Sequence, residues 1–305
     1  MMERIAVIGA AGMVGSSVVA QLAGNGVGQE LYLQDLQENL VESHRIDLTD
    51  AQTVLGLDTP ELINGPAPEG TADLVVVAAS IPENPEGDRR EFLDANAGLL
   101  RKLAESIHEQ LSPTGLVLLL TNPVDILADW LSRTHGFDPR RLIGYALNDT
   151  ARFQSAIARE FGVETSRVEA LVLGEHGQGQ VPIFSTVKID GELVTWEGEA
   201  RQRLENHLET WFARWLALKS GRKSGWATGF GVMKLVRELE AGNTVTTTVW
   251  TRGIDTLPET YVSLPTRLTQ DGEFEAALPT LDDDEFQHVL AAANSIHAQA
   301  EALEA

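Results

Sequence analysis

An open α/β fold is what this 305-residue sequence predicts, with a doubly wound parallel sheet in the first half and an α+β part in the second. Three observations carry the prediction. Strand-length apolar runs alternate with helix-length segments up to about residue 145. Two of those runs, Asp73–Val77 and Leu116–Leu120, are nearly continuous in apolar residues, as in strands buried on both faces. Beyond residue 145 the alternation gives way to a hairpin pattern and long helical stretches.

The elements follow in order. Ile5–Ile8 is a first strand that ends in glycine, and Val14–Ala23 is the helix after it. Leu31–Leu33, closed by Asp35, is a second strand, and Val41–Leu48 reads as helix. Between the two buried runs, Arg89–Leu111 carries Phe92, Leu93, Leu99, Leu100, Leu103 and Ile107 at helical spacing. The second half opens with a helix over Thr150–Phe161 and a strand over Val168–Leu173. Val181–Ile189 and Leu193–Trp196 then form a hairpin turning at Asp190-Gly191. Helices over Glu199–Leu218 and Gly225–Leu239 follow, then strands over Thr244–Trp250 and Glu259–Ser263. The last helix starts at Asp282, an N-cap with Glu285 three residues on. The expected division is 1–145 and 146–305, with an interface between the two parts.

Composition narrows the function. A formal charge of −22 gives no basic footprint for nucleic acid. No apolar run approaches the roughly 20 residues of a membrane span, and the run from Met1 lacks a signal-peptide pattern, so the expectation is a cytoplasmic protein. The absence of cysteine excludes disulfides, thiolate metal sites and cysteine nucleophiles, and no metal site is expected.

Gly9, Gly12 and Gly15 stand between the first strand and its helix, the context that makes a glycine pattern a Rossmann-type phosphate turn. The first glycine allows the tight turn, the second admits pyrophosphate, and the third lets helix and strand pack closely. Met13 and Val14 lie between the second and third glycines, where the N-terminus of the helix faces the anion. Asp35 falls 26 residues after Gly9, where a carboxylate accepts from the ribose hydroxyls and repels a 2′-phosphate, which favours NAD over NADP.

Three later segments supply the chemistry. Thr121-Asn122-Pro123 offers an amide at the end of a buried strand. Asp149-Thr-Ala-Arg152 offers a carboxylate and a guanidinium on one helical face, and Gly174-Glu-His176-Gly177 an imidazole. Each alone also reads as structure: a turn asparagine, a surface ion pair, a core histidine. Together they suit hydride transfer between a nicotinamide and an oxo acid.

In this order the segments resemble the lactate/malate dehydrogenase family, over essentially the whole chain. The resemblance implies that His176 exchanges the substrate proton and that Asp149 orients it. It makes Arg152 the anchor of the substrate carboxylate, and Asn122 the residue beside the substrate oxygen and the nicotinamide. It makes 81–89 a loop that closes over substrate, with Arg89, seven residues before Asn96, polarising the C2 carbonyl. It also implies NAD as cofactor, a small 2-oxo or 2-hydroxy acid as partner, and a homodimer or homotetramer. A related NAD-dependent glycosidase group is often metal-bound through cysteine and histidine, which this chain does not favour. An inactive NAD-binding homologue is the other rival, opposed by the intact Asp149, Arg152 and His176.

The departures bear on the substrate. Glu83 stands where malate dehydrogenases carry an arginine for the distal carboxylate and lactate dehydrogenases typically a glutamine. Two like charges at about 4 Å repel by roughly 4 kcal/mol at an effective dielectric near 20, enough to reject oxaloacetate. A 2-oxo acid with a cationic or hydrogen-bond-donating side chain would instead pair with Glu83, unless Glu83 turns to solvent or to Arg90. Arg222 and Lys223, just before the pocket residue Ser224, offer a dicarboxylate another partner and keep malate open. Gln178, Gly179 and Thr228 also differ from the family pattern, and the loop glycine at 87 comes one position late.

Overall fold

The computed structural model describes residues 1–82, 89–196, 198–220, 224–254 and 256–304. Their strands form one sheet. In its N-terminal half lie β1 (Arg4–Ile8), β2 (Glu30–Gln34), β3 (Glu61–Asn64), β4 (Ala72–Val77), β5 (Leu111–Leu119) and β6 (Leu142–Gly144). They run parallel in the order β3-β2-β1-β4-β5-β6, with Ile5 opposite Leu31 on one side and Leu74 on the other. The crossovers carry α1 (Met13–Gly24), α2 (Glu38–Leu55), α3 (Arg89–Gln110) and α4 (Val124–Thr134). Strand order reverses between β1 and β4, so their carboxyl ends open the crevice where such sheets bind ligands.

The sheet then continues antiparallel. After α5 (Leu147–Phe161) come β7 (Val168–Gly174), β8 (Gln180–Ile189) and β9 (Glu192–Leu193), then helices α6 (Ala200–Glu209), α7 (Trp211–Ala217) and α8 (Trp226–Glu240). The chain closes on β10 (Val245–Trp250), β11 (Tyr261–Leu268), β12 (Phe274–Ala276) and α9 (Asp283–Glu304). Gly144 of β6 pairs with Thr248 of β10, and the order runs on through β11, β7, β8 and β9. A large core runs from Ile5 and Val75 through Leu235 and Ile296. A smaller one gathers Phe153, Val172, Phe184 and Leu204 under α5 and α6. Among the described residues, no helix is long and apolar enough to cross a membrane.

The predicted capping of the last helix is present: the Glu285 N–H donates to Asp282 Oδ1 at 2.8 Å, and the Asp282 N–H to Glu285 Oε2 at 3.3 Å. Several boundaries differ from expectation. The helix expected over Glu199–Leu218 is divided at Thr210, where φ −85° and ψ −4° separate α6 from α7. The hairpin's return strand is only Glu192–Leu193, because Trp196 leaves the ladder to donate its indole N–H to the Phe184 carbonyl at 2.9 Å. The strand expected over Glu259–Ser263 instead spans Tyr261–Leu268, and α2 runs well beyond Val41–Leu48.

Candidate active site

The glycine turn closes on the neighbouring strand. Gly9 adopts φ +89°, and a side chain there would place Cβ 2.4 Å from the Ala79 nitrogen, beyond the end of β4. A Cβ at Gly15 would stand 2.0 Å from the Gly9 carbonyl oxygen. Gly12 caps α1 without a side-chain hydrogen bond, and a helix N-terminus of this kind faces an anion with its backbone N–H groups. Asp35 borders this turn: Oδ2 accepts from the Ala11 N–H and Oδ1 from the Gln37 N–H, each at 3.1 Å. A carboxylate offers about four lone-pair sites, so Asp35 keeps acceptors for a diol. Met13, 39% exposed, and the half-buried Val14 form the first turn of α1. A cradle that only glycine fits, an uncapped helix start and a fixed acid match a dinucleotide bound through its pyrophosphate and ribose.

The second cluster gathers on α5 and the turn from β7 to β8. Asp149 is buried in the first turn of α5, and its two oxygens serve two partners. Oδ2 lies 2.6 Å from His176 Nδ1 and Oδ1 lies 3.0 Å from Arg152 Nη1. The first contact assigns the Nδ1 proton to the carboxylate side and leaves Nε2 for chemistry. The His176 side chain is 16% exposed and that of Arg152 24%, so both are shielded yet reachable. Burial alone depresses an imidazole pKa, but the charge and hydrogen bond of Asp149, with Asp125 behind it, hold His176 above its ordinary 6.5. Burial lowers the Arg152 pKa against the opposing pull of Asp149 and Tyr145, and the guanidinium stays charged.

Asp125 is the residue the sequence reading missed. It is 1% exposed in the first turn of α4, an acid inside the apolar run Val124 to Leu127, and that anomaly was its available signal. Oδ2 accepts from the backbone N–H of His176 at 2.8 Å, and Oδ1 from the Thr248 hydroxyl at 2.7 Å. Burial pushes its carboxyl up to about 6. The turn that carries His176 is thereby tied to α4 and β10. Gly179 has a local reason: a Cβ there would stand 2.7 Å from Oε2 of the buried Glu175. Thr228 also has one, since its hydroxyl accepts from Asn148 Nδ2 at 3.0 Å, while Asn148 Oδ1 accepts from Tyr145 at 2.9 Å. This chain of bonds fastens α8 to α5.

Asp149 thus contacts both His176 and Arg152, and Asp35 contacts the glycine turn. Asn122 stands exposed after β5, and Thr121 ties that turn to the segment after β4 through a 2.8 Å bond to the Ala79 carbonyl. Ser224 precedes α8, where Gly225 packs against the Met13 carbonyl of α1. Buried Asn96 accepts from the Ile81 N–H at 2.9 Å and so holds the start of the proposed loop. Glu83, Gly87, Arg222 and Lys223 lie outside the described residues, and Arg89 is described only as the first residue of α3. Arg90 pairs with Asp94 at 3.3 Å and donates to the Ala302 carbonyl at 3.1 Å.

A sequence profile for the lactate/malate dehydrogenase NAD-binding domain matches residues 3–144, and one for the family's α/β C-terminal domain matches 147–305. An L-lactate dehydrogenase of Geobacillus thermodenitrificans is 31% identical over 312 aligned positions, 97% of each chain. A malate dehydrogenase of Thermomicrobium roseum is 28% identical over 310 positions, 99% of each chain. The crystal structure of Cryptosporidium parvum malate dehydrogenase shares the fold, with a TM-score of 0.90 over 100% of this chain and 99% of that one at 22% identity. The chain therefore belongs to the lactate/malate dehydrogenase family of NAD-dependent oxidoreductases, which act on the CH–OH group of hydroxy acids.

Proposed function

We propose that the protein is an L-2-hydroxyacid dehydrogenase that interconverts a 2-hydroxy acid and its 2-oxo acid. The observation that carries this reading is the single carboxylate of Asp149 shared by the His176 imidazole and the Arg152 guanidinium. Arg152 binds the substrate carboxylate with the N–H groups that Asp149 leaves it. In oxidation His176 Nε2 takes the hydroxyl proton as the C2–O bond becomes a carbonyl, and in reduction the imidazolium returns it. Asp149 holds the tautomer and stabilises the charged ring. Bound NAD supplies the hydride acceptor or donor at C2. Gly9, Gly12, Met13, Val14 and Gly15 hold its pyrophosphate, and Asp35 its ribose. Asn122 and Ser224 border the substrate, and Arg89 polarises its C2 oxygen.

The substrate side chain is set by Glu83. Its charge supports a 2-oxo acid with a cationic or hydrogen-bond-donating group and opposes a distal carboxylate. Malate is the second reading, favoured by Arg222 and Lys223 next to Ser224. The functional division lies at 145/146, with NAD on the first part and substrate chemistry on the second. Leu36 is fully exposed, and Ile46, Val54 and Leu55 of α2 are 53%, 86% and 58% exposed. These apolar side chains support a homodimer or homotetramer, and we place the protein in the cytoplasm.

A panel of 2-oxo acids with NADH tests the reading. We expect the best turnover from a substrate with an amine, guanidinium or imidazole side chain, and at least tenfold more oxaloacetate activity in E83R. Oxaloacetate as the wild type's best substrate by a wide margin ends the Glu83 argument. No turnover of any 2-oxo acid ends the dehydrogenase reading.

A further inference from the structure

Arg152 is held from a second direction that the proposed chemistry leaves unused. Trp211, the first residue of α7, lays its indole against the guanidinium, with Arg152 Cζ 3.7 Å from the ring centroid. One turn on, Trp215 stacks with Trp211, centroids 5.5 Å apart and planes 17° from parallel. The outward side of the same helix is different: Phe212 and Leu216 are 50% and 48% exposed, while both tryptophans are half-buried. The half-buried side of α7, with the two stacked tryptophans, is thus the one that meets the arginine, through Trp211.

The geometry suits a carboxylate anchor. All five N–H groups of a guanidinium lie in its plane, so a ring stacked on its face takes none of them. Asp149 takes one N–H at the edge, from Nη1 at 3.0 Å. An edge contact and a face contact together fix the plane and the remaining donors point the same way before substrate arrives. An arginine ordered in advance loses little rotamer freedom on binding, which favours affinity for the ligand. The π face also offsets part of the hydration that burial removes from the cation.

We propose that Trp211 is a positioning residue for substrate binding: it pre-sets the guanidinium plane of Arg152 for the 2-oxo acid carboxylate, with Trp215 as its backing. This rests on the reading of Arg152 as the carboxylate anchor.

The test is steady-state kinetics of the full chain at saturating NADH, with whichever of pyruvate and oxaloacetate it reduces better. W211L should raise KM for the oxo acid about tenfold, leave kcat within about twofold and leave KM for NADH unchanged. W211F, which keeps a ring, should recover most of the loss, and W211L should add little in an R152Q background. R152Q raising KM while W211L does not, or W211F and W211L being equally impaired, overturns the positioning role alone. R152Q leaving KM unchanged overturns the anchor reading instead. A measurement independent of how W211L folds uses the wild type. The fluorescence component missing from W211F should change when oxamate, at a concentration that inhibits turnover, is added to the NADH complex. No change overturns the proposal.

Discussion

At the scale of single residues, the site is governed by charges that share few partners in a shielded place. The His176 imidazolium is favoured by Asp149 and by Asp125 against the cost of burial, so its pKa is raised. Reduction of a 2-oxo acid needs the protonated ring, so kcat/KM should be level at low pH and fall as pH rises through that raised value. The same sign holds for stability: the contribution of His176 is complete below about 6.5 and is lost as pH rises through the folded value. Asp125→Asn keeps an acceptor for the His176 N–H and removes the negative charge behind the ring. The falling limb in this variant should move to lower pH, with the fold retained. A limb that stays in place, or moves up, would show that Asp125 does not act on the imidazole. Asp149 and His176 were legible as candidates because their short motifs carry the family resemblance. Asp125 was not, because its partners, His176 and Thr248, are 51 and 123 residues away.

At the scale of elements, the β1–α1 turn shows why a glycine pattern was readable before any contact was known. Gly9 has φ +89° and its missing side chain makes room for Ala79, two constraints that no other residue type meets together. Gly9→Ala adds strain of order 1–3 kcal/mol and a collision with the Ala78–Ala79 backbone after β4. NADH affinity should therefore fall ten- to hundredfold in fluorescence titration, and an unaltered Kd would remove the turn from the cofactor site. Buried strands and the capped last helix were equally legible, because apolar runs and the Asp282–Glu285 pair are local signals. The break at Thr210 and the short β9 were not. The first is a local change of backbone angles at Thr210 that no residue pattern marks, and the second depends on Trp196 finding Phe184 across the hairpin. Short β3, β6 and β12 take their strand character from their neighbours in the sheet rather than from a pattern of their own.

For the whole molecule, the decisive fact is convergence. α5 contributes Asp149 and Arg152, the β7–β8 turn His176, and α4 with β10 fix that turn through Asp125. α8 meets α1 at Gly225 and α5 through Thr228, so the phosphate turn and the proton-handling cluster share a common wall. The order of motifs along the chain pointed to this meeting by resemblance. The contacts that produce it are tertiary and invisible in the sequence. The central claim is that the imidazole placed by this convergence carries the substrate proton. His176→Asn tests it most directly, in turnover of the best 2-oxo acid measured alongside NADH binding. We predict a kcat lower by about 10²–10⁴-fold with NADH affinity unchanged. Turnover equal to the wild type in a folded, NADH-binding variant would contradict the account.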